Sequence, residues 1–187
     1  MADGLDAFLY FNTQASGRRT DGLTLAGESL DADLQARYTP NPIALRSFKL
    51  DFDIDENFAD SSKASAANQV PKPRFGLLTV TKVFDAASTD LFKSLCAAAV
   101  HNEVQILQRR SGGLATKVGA IFMKMTLGDV VITDIEWKAG GDLVPVETIQ
   151  LNFTSFKIEY TPQRHTGRHD AADTVRASYS ITRDQGG

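Results

Sequence analysis

The chain has 187 residues, 42% hydrophobic and 23% charged, which is the composition of one ordinary globular domain rather than of a disordered segment. Its 20 Lys and Arg against 23 Asp and Glu leave a formal charge of −3, which argues against a nucleic-acid-binding protein because it gives no general attraction to phosphate. The single cysteine, Cys96, excludes an intrachain disulfide and favours folding in a reducing cytoplasm.

The N-terminal sequence does not have the pattern of a targeting signal. Residues 1–6 are acidic where a signal peptide would be basic, and no window reaches the roughly 18 apolar residues of a membrane span. We therefore expect no membrane insertion and no N-terminal signal. If the protein leaves the cell, it must use a route that needs no signal peptide.

The first half of the chain alternates strand signals with two long polar stretches. The apolar run 7–11 predicts a strand, and the Gly- and Pro-containing stretch 13–42 predicts mostly loop. From Ile43 the pattern becomes alternating: Phe48, Leu50, Phe52 and Ile54 fall on one face, and Lys49, Asp51 and Asp53 fall on the other. A second loop is expected at 59–73, and the strand pattern resumes as far as Phe84.

One helix is predicted after this strand. Ser88 or Thr89 is suited to cap it, and His101 with Asn102 is a plausible end. Its apolar stripe places Cys96 against the core as a small buried hydrophobe. The stripe consists of Leu91, Phe92, Leu95, Cys96 and Ala99.

The second half predicts successive antiparallel strands. Gly128-Asp129 and Gly140-Gly141-Asp142 have the composition of hairpin turns. In the longest segment the apolar parity changes between Phe153 and Phe156, which predicts a bulge or a strand that leaves one sheet for another. The predicted strands are 104–107, 118–125, 130–137, 144–160 and 175–182.

The final strand is amphipathic, with Val175, Ala177, Tyr179 and Ile181 on the face that we expect to be buried. The fold predicted from these elements is mainly β: a closed or nearly closed β-barrel of two antiparallel sheets with one flanking α-helix. We expect a single domain over residues 1–187, with long loops at about 13–42 and 59–73.

Motifs that would indicate chemistry are missing or incomplete. The sequence has no glycine-rich phosphate loop and no nucleophile elbow, and His165 and His169 flank a glycine in a segment that does not predict a helix. The acidic triplet at 51, 53 and 55 lacks the glycine and glutamate of a calcium loop. We therefore predict no catalytic residue, no cofactor and no metal site, and a protein that is not an enzyme.

Three segments together resemble the hemolysin-coregulated protein (Hcp) family, whose members are tube subunits of type VI secretion. Residues 146–163, VETIQLNFTSFKIEYTPQ, are similar to the family's penultimate strand, and a final strand follows. Residues 78–92, LTVTKVFDAASTDLF, are similar to its strand and helix start. Gly27-Glu28-Ser29 is similar to a Gly-Glu-Ser near the family's N-terminus, and the likeness extends over about residues 7–183.

This resemblance implies a non-catalytic subunit that forms hexameric rings, which stack into a hollow tube. Its expected partners are further copies of the chain, a spike protein at the tube tip, a contractile sheath and secreted effectors in the bore. The resemblance places assembly in the cytoplasm, followed by secretion. Ser47, Lys49 and Asp51 are the candidates to line the bore, against the plainer interpretation of an ordinary solvent-facing strand.

The resemblance also matches residues 59–73 to an extended loop that reaches neighbouring subunits and rings. The candidate interface residues at this loop are Ser61, Lys63, Asn68, Gln69 and Arg74. The first loop is longer than in the family, and Ser, Ala and Asn replace the glycines of the second. Two alternatives remain open: a tail-tube protein of a phage or other contractile particle, and a soluble β-barrel that binds or hydrolyses a small ligand.

Overall fold

Alternating apolar and polar residues form most of the strands in this computed structural model. It describes residues 6–12, 25–29, 31–54, 73–110, 120–141, 144–162, 173–182 and 185–186. In the first half the elements are β1 (Ala7–Phe11), α1 (Ala32–Arg37), β2 (Ile43–Leu45), β3 (Ser47–Lys49), β4 (Phe52–Ile54), β5 (Pro73–Phe75), β6 (Leu78–Val83) and α2 (Ala87–Cys96). The remaining elements are β7 (Val100–Arg109), β8 (Ile121–Lys138), β9 (Val146–Asn152), β10 (Ser155–Tyr160), β11 (Val175–Ser180) and β12 (Gln185–Gly186).

The strand pairings run in a closed circuit. Strand β1 pairs with β2 and β7, β7 with β8, β8 with β9, β9 with β6 and β6 with β3, all antiparallel. Arg46 alone separates β2 from β3, and its backbone N–H donates to the Thr81 carbonyl at 2.7 Å, so the ladder continues through it. Strands β10, β11 and β12 extend the sheet beyond β8, and β4 and β5 form a second, two-stranded sheet. The predicted mainly β fold of two antiparallel sheets is confirmed.

Strand β8 is one continuous strand, so the hairpin predicted at Gly128-Asp129 is wrong. Asp129 adopts a positive φ of 47°, and β8 continues through it without reversing. Gly128 lies between β7 and β10, and a Cβ there would collide with the Ser155 hydroxyl. The two residues therefore have the composition of a turn because Gly128 is closely packed and Asp129 has a left-handed backbone conformation.

The predicted parity change in the long segment is confirmed. Phe153 and Thr154 separate β9, which pairs with the C-terminal half of β8, from β10, which pairs with its N-terminal half. The chain stays on the side of β8 opposite β7, but its outer partner changes from β6 beside β9 to β11 beside β10. Both parities of apolar residue reach the core.

A short helix, α1, lies within the stretch that the sequence predicted as mostly loop. The Asp31 carboxylate caps it by accepting from the N–H groups of Asp33 and Leu34 at 3.1 and 3.0 Å. Leu34 packs with Phe8, Tyr10 and Leu107 in a second hydrophobic cluster. The helix therefore covers the outer face of β1 and β7.

Helix α2 is confirmed, and so are Leu91, Leu95 and Ala99 of its predicted apolar stripe, which are buried or pack on the core. The predicted cap is wrong, and the stripe is wrong at Phe92 and Cys96. The Asp85 carboxylate accepts from the Ala87 N–H at 3.0 Å, whereas the Ser88 side chain turns inward. Cys96 and Phe92 are exposed, and the helix ends at Cys96, so His101 belongs to β7. The buried helix residues are Ala87, Ser88, Leu91 and Ser94.

The expected buried face of the last strand is also wrong for the single chain. Val175 is 61% exposed, Ala177 is exposed and Ile181 is 39% exposed, whereas Tyr179 stacks on Phe75 with ring centroids 5.1 Å apart. Strands β8 and β9 pair antiparallel, as the hairpin predicted at 140–142 requires, although Asp142 lies outside the described residues. The barrel interior itself is a continuous apolar core that includes Leu9, Val80, Ile106, Leu127 and Ile149.

Candidate functional site

A continuous polar surface crosses four strands of the barrel. Two cross-strand rows form it, because antiparallel pairing places every second residue of neighbouring strands side by side. The rows are Lys49–Thr79–Gln150–Asp134 and Ser47–Thr81–Thr148–Glu136. We call these eight residues the polar wall; each is exposed or half-buried.

The intervening row fixes which way the wall faces. Phe48 pairs with Val80, Val80 with Ile149, and Ile149 with Ile135, and all four belong to or pack on the hydrophobic core. The strand period of two then directs the wall residues outward.

The structure places the three predicted bore residues on or beside this wall. Ser47 and Lys49 belong to it, and Asp51 follows β3 with its carboxylate 2.9 Å from the Lys49 ammonium. Both side chains of that ion pair are more than two-thirds exposed, so it contributes little to stability. Sequence analysis missed the acidic residues Asp134 and Glu136, although they alternate with Ile135 and Trp137 in the manner of a strand with one wet face.

The stem of the second long loop is a small antiparallel ladder. Arg74, the one predicted interface residue that the structure describes, lies exposed on β5 opposite Asp53. Next to it, Phe52 and Ile54 are 54% and 56% exposed. The other four predicted interface residues, Ser61, Lys63, Asn68 and Gln69, lie outside the described residues.

Two of the family-like segments meet in one buried polar cluster under α2. The Lys82 ammonium lies 2.9 Å from Glu147 Oε2 and 2.7 Å from Asp85 Oδ1, and it donates to Ser88 Oγ at 2.9 Å. Ser88 Oγ–H and the Trp137 indole N–H donate to Glu147 at 2.8 and 2.6 Å. Since Lys82, Ser88 and Glu147 are fully buried, the cluster pins the helix to the barrel rather than presenting a reactive group.

The third family-like segment binds the same turn from outside. Glu28 accepts a hydrogen bond from the Ala86 N–H at 3.0 Å, and the Gly27 N–H donates to the Asn41 carbonyl at 2.8 Å. A Cβ on Gly27 would collide with the Pro42 carbonyl oxygen, so only glycine fits there. These sequence motifs therefore hold the strand-to-helix turn in place.

A second buried polar pair lies at the other end of α2. Ser94 and His101 are 1% and 3% exposed, and Ser94 Oγ lies 2.7 Å from His101 Nε2. Burial lowers the pKa of His101 to about 4. A serine–histidine contact can activate a nucleophile, but this one is sealed from solvent.

An ion cluster lies on the extension beyond β8. Lys124, Lys157 and Arg176 surround the Glu159 carboxylate at 2.9, 3.3 and 2.8 Å. Burial alone would raise the pKa of Glu159, but hydrogen bonds and charge from the three cations lower it to about 2.

Neither a metal site nor a membrane span is seen in the part of the chain that the structure describes. No group of three or more His, Cys, Asp or Glu side chains is placed to hold a metal ion among these residues. No helix within the same ranges is long and apolar enough to cross a membrane.

Comparison with known proteins identifies the family. Residues 19–160 match the model of a family described as "Type VI secretion system effector, Hcp". A search of curated proteins gives no match.

Solved structures agree in fold along almost the whole chain. A protein described as a type six secretion system protein superposes with a TM-score of 0.76 at 18% identity, covering 98% of this chain and 100% of its own. Hcp1 from Salmonella typhimurium gives 0.67 at 20% identity over 98% and 99% of the two chains. A type VI secretion system effector from Yersinia pestis gives 0.63 at 18% identity over 94% and 100%. At these identities the structures establish the fold, and the family match establishes that the chain belongs to the Hcp family of type VI secretion system proteins.

Proposed function

We propose that this chain is a structural tube subunit, and that six copies close into a ring with the polar wall of each copy facing a common central channel. Rings stack into a hollow tube, a contractile sheath expels it with a spike protein at its tip, and the channel holds secreted effectors. The role involves no catalytic step. The subunit assembles in the cytoplasm and is then secreted.

The polar wall is the observation that carries this proposal. Four of its eight side chains are short hydroxyls, which hold water without projecting far into a channel: Ser47, Thr79, Thr81 and Thr148. Helix α1 covers β1 and β7, which lie across the strand circuit from β6 and β9. A surface that is hydrated, low in relief and turned away from α1 suits the inside of a tube.

The charges on this surface favour a hydrated channel. Lys49 is one cation, whereas Asp51, Asp134 and Glu136 are three anions, all exposed. Stacked copies would repeat this excess of negative charge along the bore. A tube of this kind would favour cargo with complementary positive patches.

The barrel interior argues against the small-ligand alternative. Leu9, Val80, Ile106, Leu127 and Ile149 fill it, each at 0% exposure. A ligand-binding barrel instead needs an interior cavity with a few convergent polar groups. Family membership likewise favours a secretion tube over a phage tail tube.

The β4–β5 stem is where we place contacts between rings. It carries the exposed apolar residues Phe52 and Ile54 beside Arg74. Exposed groups of large apolar residues often mark contact surfaces between proteins. Ser61, Lys63, Asn68 and Gln69 extend the proposed interface along the chain.

Two measurements test the ring and its orientation. Sedimentation of the purified protein should give a species of six times the 20.3 kDa subunit mass, and negative-stain images should show rings with an open centre. A monomer at all concentrations would contradict the proposal.

Orientation is tested by gold labelling in a Cys96→Ser background. A maleimide-gold particle on Ser47→Cys should lie at the centre of each ring. The matched control is Ala36→Cys on the exposed side of α1, whose label should lie at the rim. If the Ala36→Cys label lay at the ring centre, or the Ser47→Cys label lay at the rim, the wall would not line the channel.

A further inference from the structure

Two exposed apolar patches lie at opposite ends of strand β8. The first, which we call the aromatic knob, consists of Phe84, Phe92 and Trp137. The Trp137 ring lies 5.5 Å from that of Phe84 and 5.6 Å from that of Phe92. Phe92 is 46% exposed and Trp137 is 49% exposed, although both are among the side chains that gain most from burial.

The second patch, the apolar sheet face, lies on β8, β10 and β11. Cross-strand pairing aligns Met123, Tyr160 and Val175 in one row, and Ile158 lies beside Ala177 in the next. Val175 is 61% exposed and Tyr160 is 37% exposed, whereas Met123 and Ile158 are half-buried and pack on the hydrophobic core. The Tyr160 ring also lies 6.0 Å from that of Phe122, and its hydroxyl accepts from Arg110 at 2.8 Å. The third row, Leu127–Phe156–Tyr179, differs because Phe75 of the β4–β5 stem lies against its Phe156 and Tyr179 rings.

The patches are separated along the molecule. Met123 and Trp137 lie on the same strand, so at about 3.3 Å per residue they are roughly 45 Å apart along it. The knob therefore cannot fold back onto the sheet face of its own chain, and each patch must find its cover elsewhere.

A subunit with two different apolar patches is suited to a ring rather than to a two-fold dimer. A two-fold dimer joins a patch to its own copy, whereas a ring joins one patch to a different patch on the next subunit. Exposed Trp and Phe side chains of the knob are the residue types that anchor protein interfaces, and the sheet face offers an apolar surface for them.

We propose that the aromatic knob of one copy packs on the apolar sheet face of the next copy, and that this contact closes the ring. The inference rests on the proposed tube function and names the residues of its lateral interface. It also assigns the exposed apolar residues of β11 a partner that the single chain does not provide.

The native thiol gives a direct test. Cys96 lies one helical turn after Phe92 on the exposed side of α2, so it reports the position of the knob. In the Ala177→Cys variant, a short bismaleimide should link residue 96 of one copy to residue 177 of the next. Because each copy has both ends of the link, a denaturing gel should show a ladder up to the full ring. Cys96→Ser with Ala177→Cys, and the unmodified protein, should remain monomeric on the gel.

Charge insertion tests the contact without a cross-linker. Phe92→Glu and Val175→Glu should each convert the ring to monomer by sedimentation, with an unchanged far-ultraviolet circular dichroism spectrum. Leu77→Glu is the matched control: it changes an exposed apolar residue outside both patches and outside strands β4 and β5, and it should leave the ring mass unaltered.

The outcomes separate this inference from the proposed function. If the unmodified protein forms rings while Phe92→Glu and Val175→Glu also form rings and no ladder appears, the lateral contact is elsewhere and the tube function stands. A ladder that stops at dimers would mean a two-fold contact and overturn the inference. If the link forms within one chain, the inference fails and the tube function stands. If the unmodified protein is monomeric, the ring and the inference fail together.

Discussion

Replacing Lys82 by Met tests whether the buried polar cluster holds α2 on the barrel. The change removes the cation next to Glu147 and Asp85 and leaves the fully buried Glu147 carboxylate without it. Breaking a buried ion pair by removing one partner costs about 3–5 kcal/mol. For a chain of this size, roughly 2–4 °C per kcal/mol then gives a fall in the melting temperature of about 6–20 °C.

The single tryptophan makes the assay local as well as global. Trp137 donates its indole N–H to Glu147, so its fluorescence reports the cluster, whereas circular dichroism reports the whole barrel. Urea titrations followed by both signals give the free energy of unfolding. They should be run at two protein concentrations, because ring formation would stabilise the folded chain.

Lys93→Met is the matched control. Lys93 pairs with Asp90 at 2.8 Å on α2, but its side chain is 62% exposed, so its loss should cost less than about 1 kcal/mol. The double variant Lys82→Met with Glu147→Gln should cost less than the sum of the two single changes, because it also removes the fully buried Glu147 charge that Lys82→Met alone leaves without its cation. If Lys82→Met costs no more than Lys93→Met, the cluster does not anchor the helix.

Three further predictions concern pH and packing. His101 has a folded-state pKa of about 4 against an ordinary 6.5, so the unfolded chain binds more protons than the folded chain between these pH values. The free energy of unfolding should therefore fall as the pH is lowered from 6.5 to 4. Urea titrations of His101→Gln should show a smaller fall. Glu159 has a folded-state pKa of about 2 against an ordinary 4.5, so its contribution to the free energy of unfolding is full above pH 4.5 and is lost as the pH falls through 2. The difference in free energy of unfolding between the unmodified protein and Glu159→Gln should shrink over that range. A constant difference would contradict the assignment. Gly27→Ala forces the Pro42 backbone to move and should cost roughly 1–3 kcal/mol or more, whereas an unchanged melting temperature would show that the turn is not tightly packed.

The sequence predicted the class of fold because its strand signals are local. The parity change between Phe153 and Phe156 indicated correctly that the chain changes partners, since each half must direct apolar residues at the core. Gly128-Asp129 misled because a left-handed residue within a continuous strand and a hairpin turn use the same residue types. Only the pairing partners on either side distinguish them, and those partners are far away in sequence.

Polar residues limited the prediction of helix α2 for a similar reason. Ser88 and Ser94 lie on the helix and are buried because Glu147 on β9 and His101 on β7 form hydrogen bonds with them. A pattern based on apolar residues cannot include such positions, so the predicted stripe was rotated toward Phe92 and Cys96.

The polar wall was only partly predictable. Ser47 and Lys49 stand out in an alternating stretch, but their row continues through Thr79 and Gln150 to Asp134, residues brought alongside by pairings that no local pattern reveals. The acidic end of the wall therefore appears only once the register of β6, β9 and β8 is known.

On helix α2 and the last strand, five predicted core positions are exposed in the single chain, and four of them, all except Ile181, share one feature. Phe92, Cys96, Val175 and Ala177 have the periodicity of buried positions, yet all four are exposed in the single chain. They do not scatter over the surface: two lie on the exposed side of α2 beside Trp137, and two lie on the open face of β11. An amphipathic pattern encodes the surface that is finally buried, whether by the same chain or by another copy. For a subunit of a ring, burial predicted from sequence should therefore fail at the interfaces, and these four residues fail at the two ends of β8, where neighbouring copies are proposed to meet.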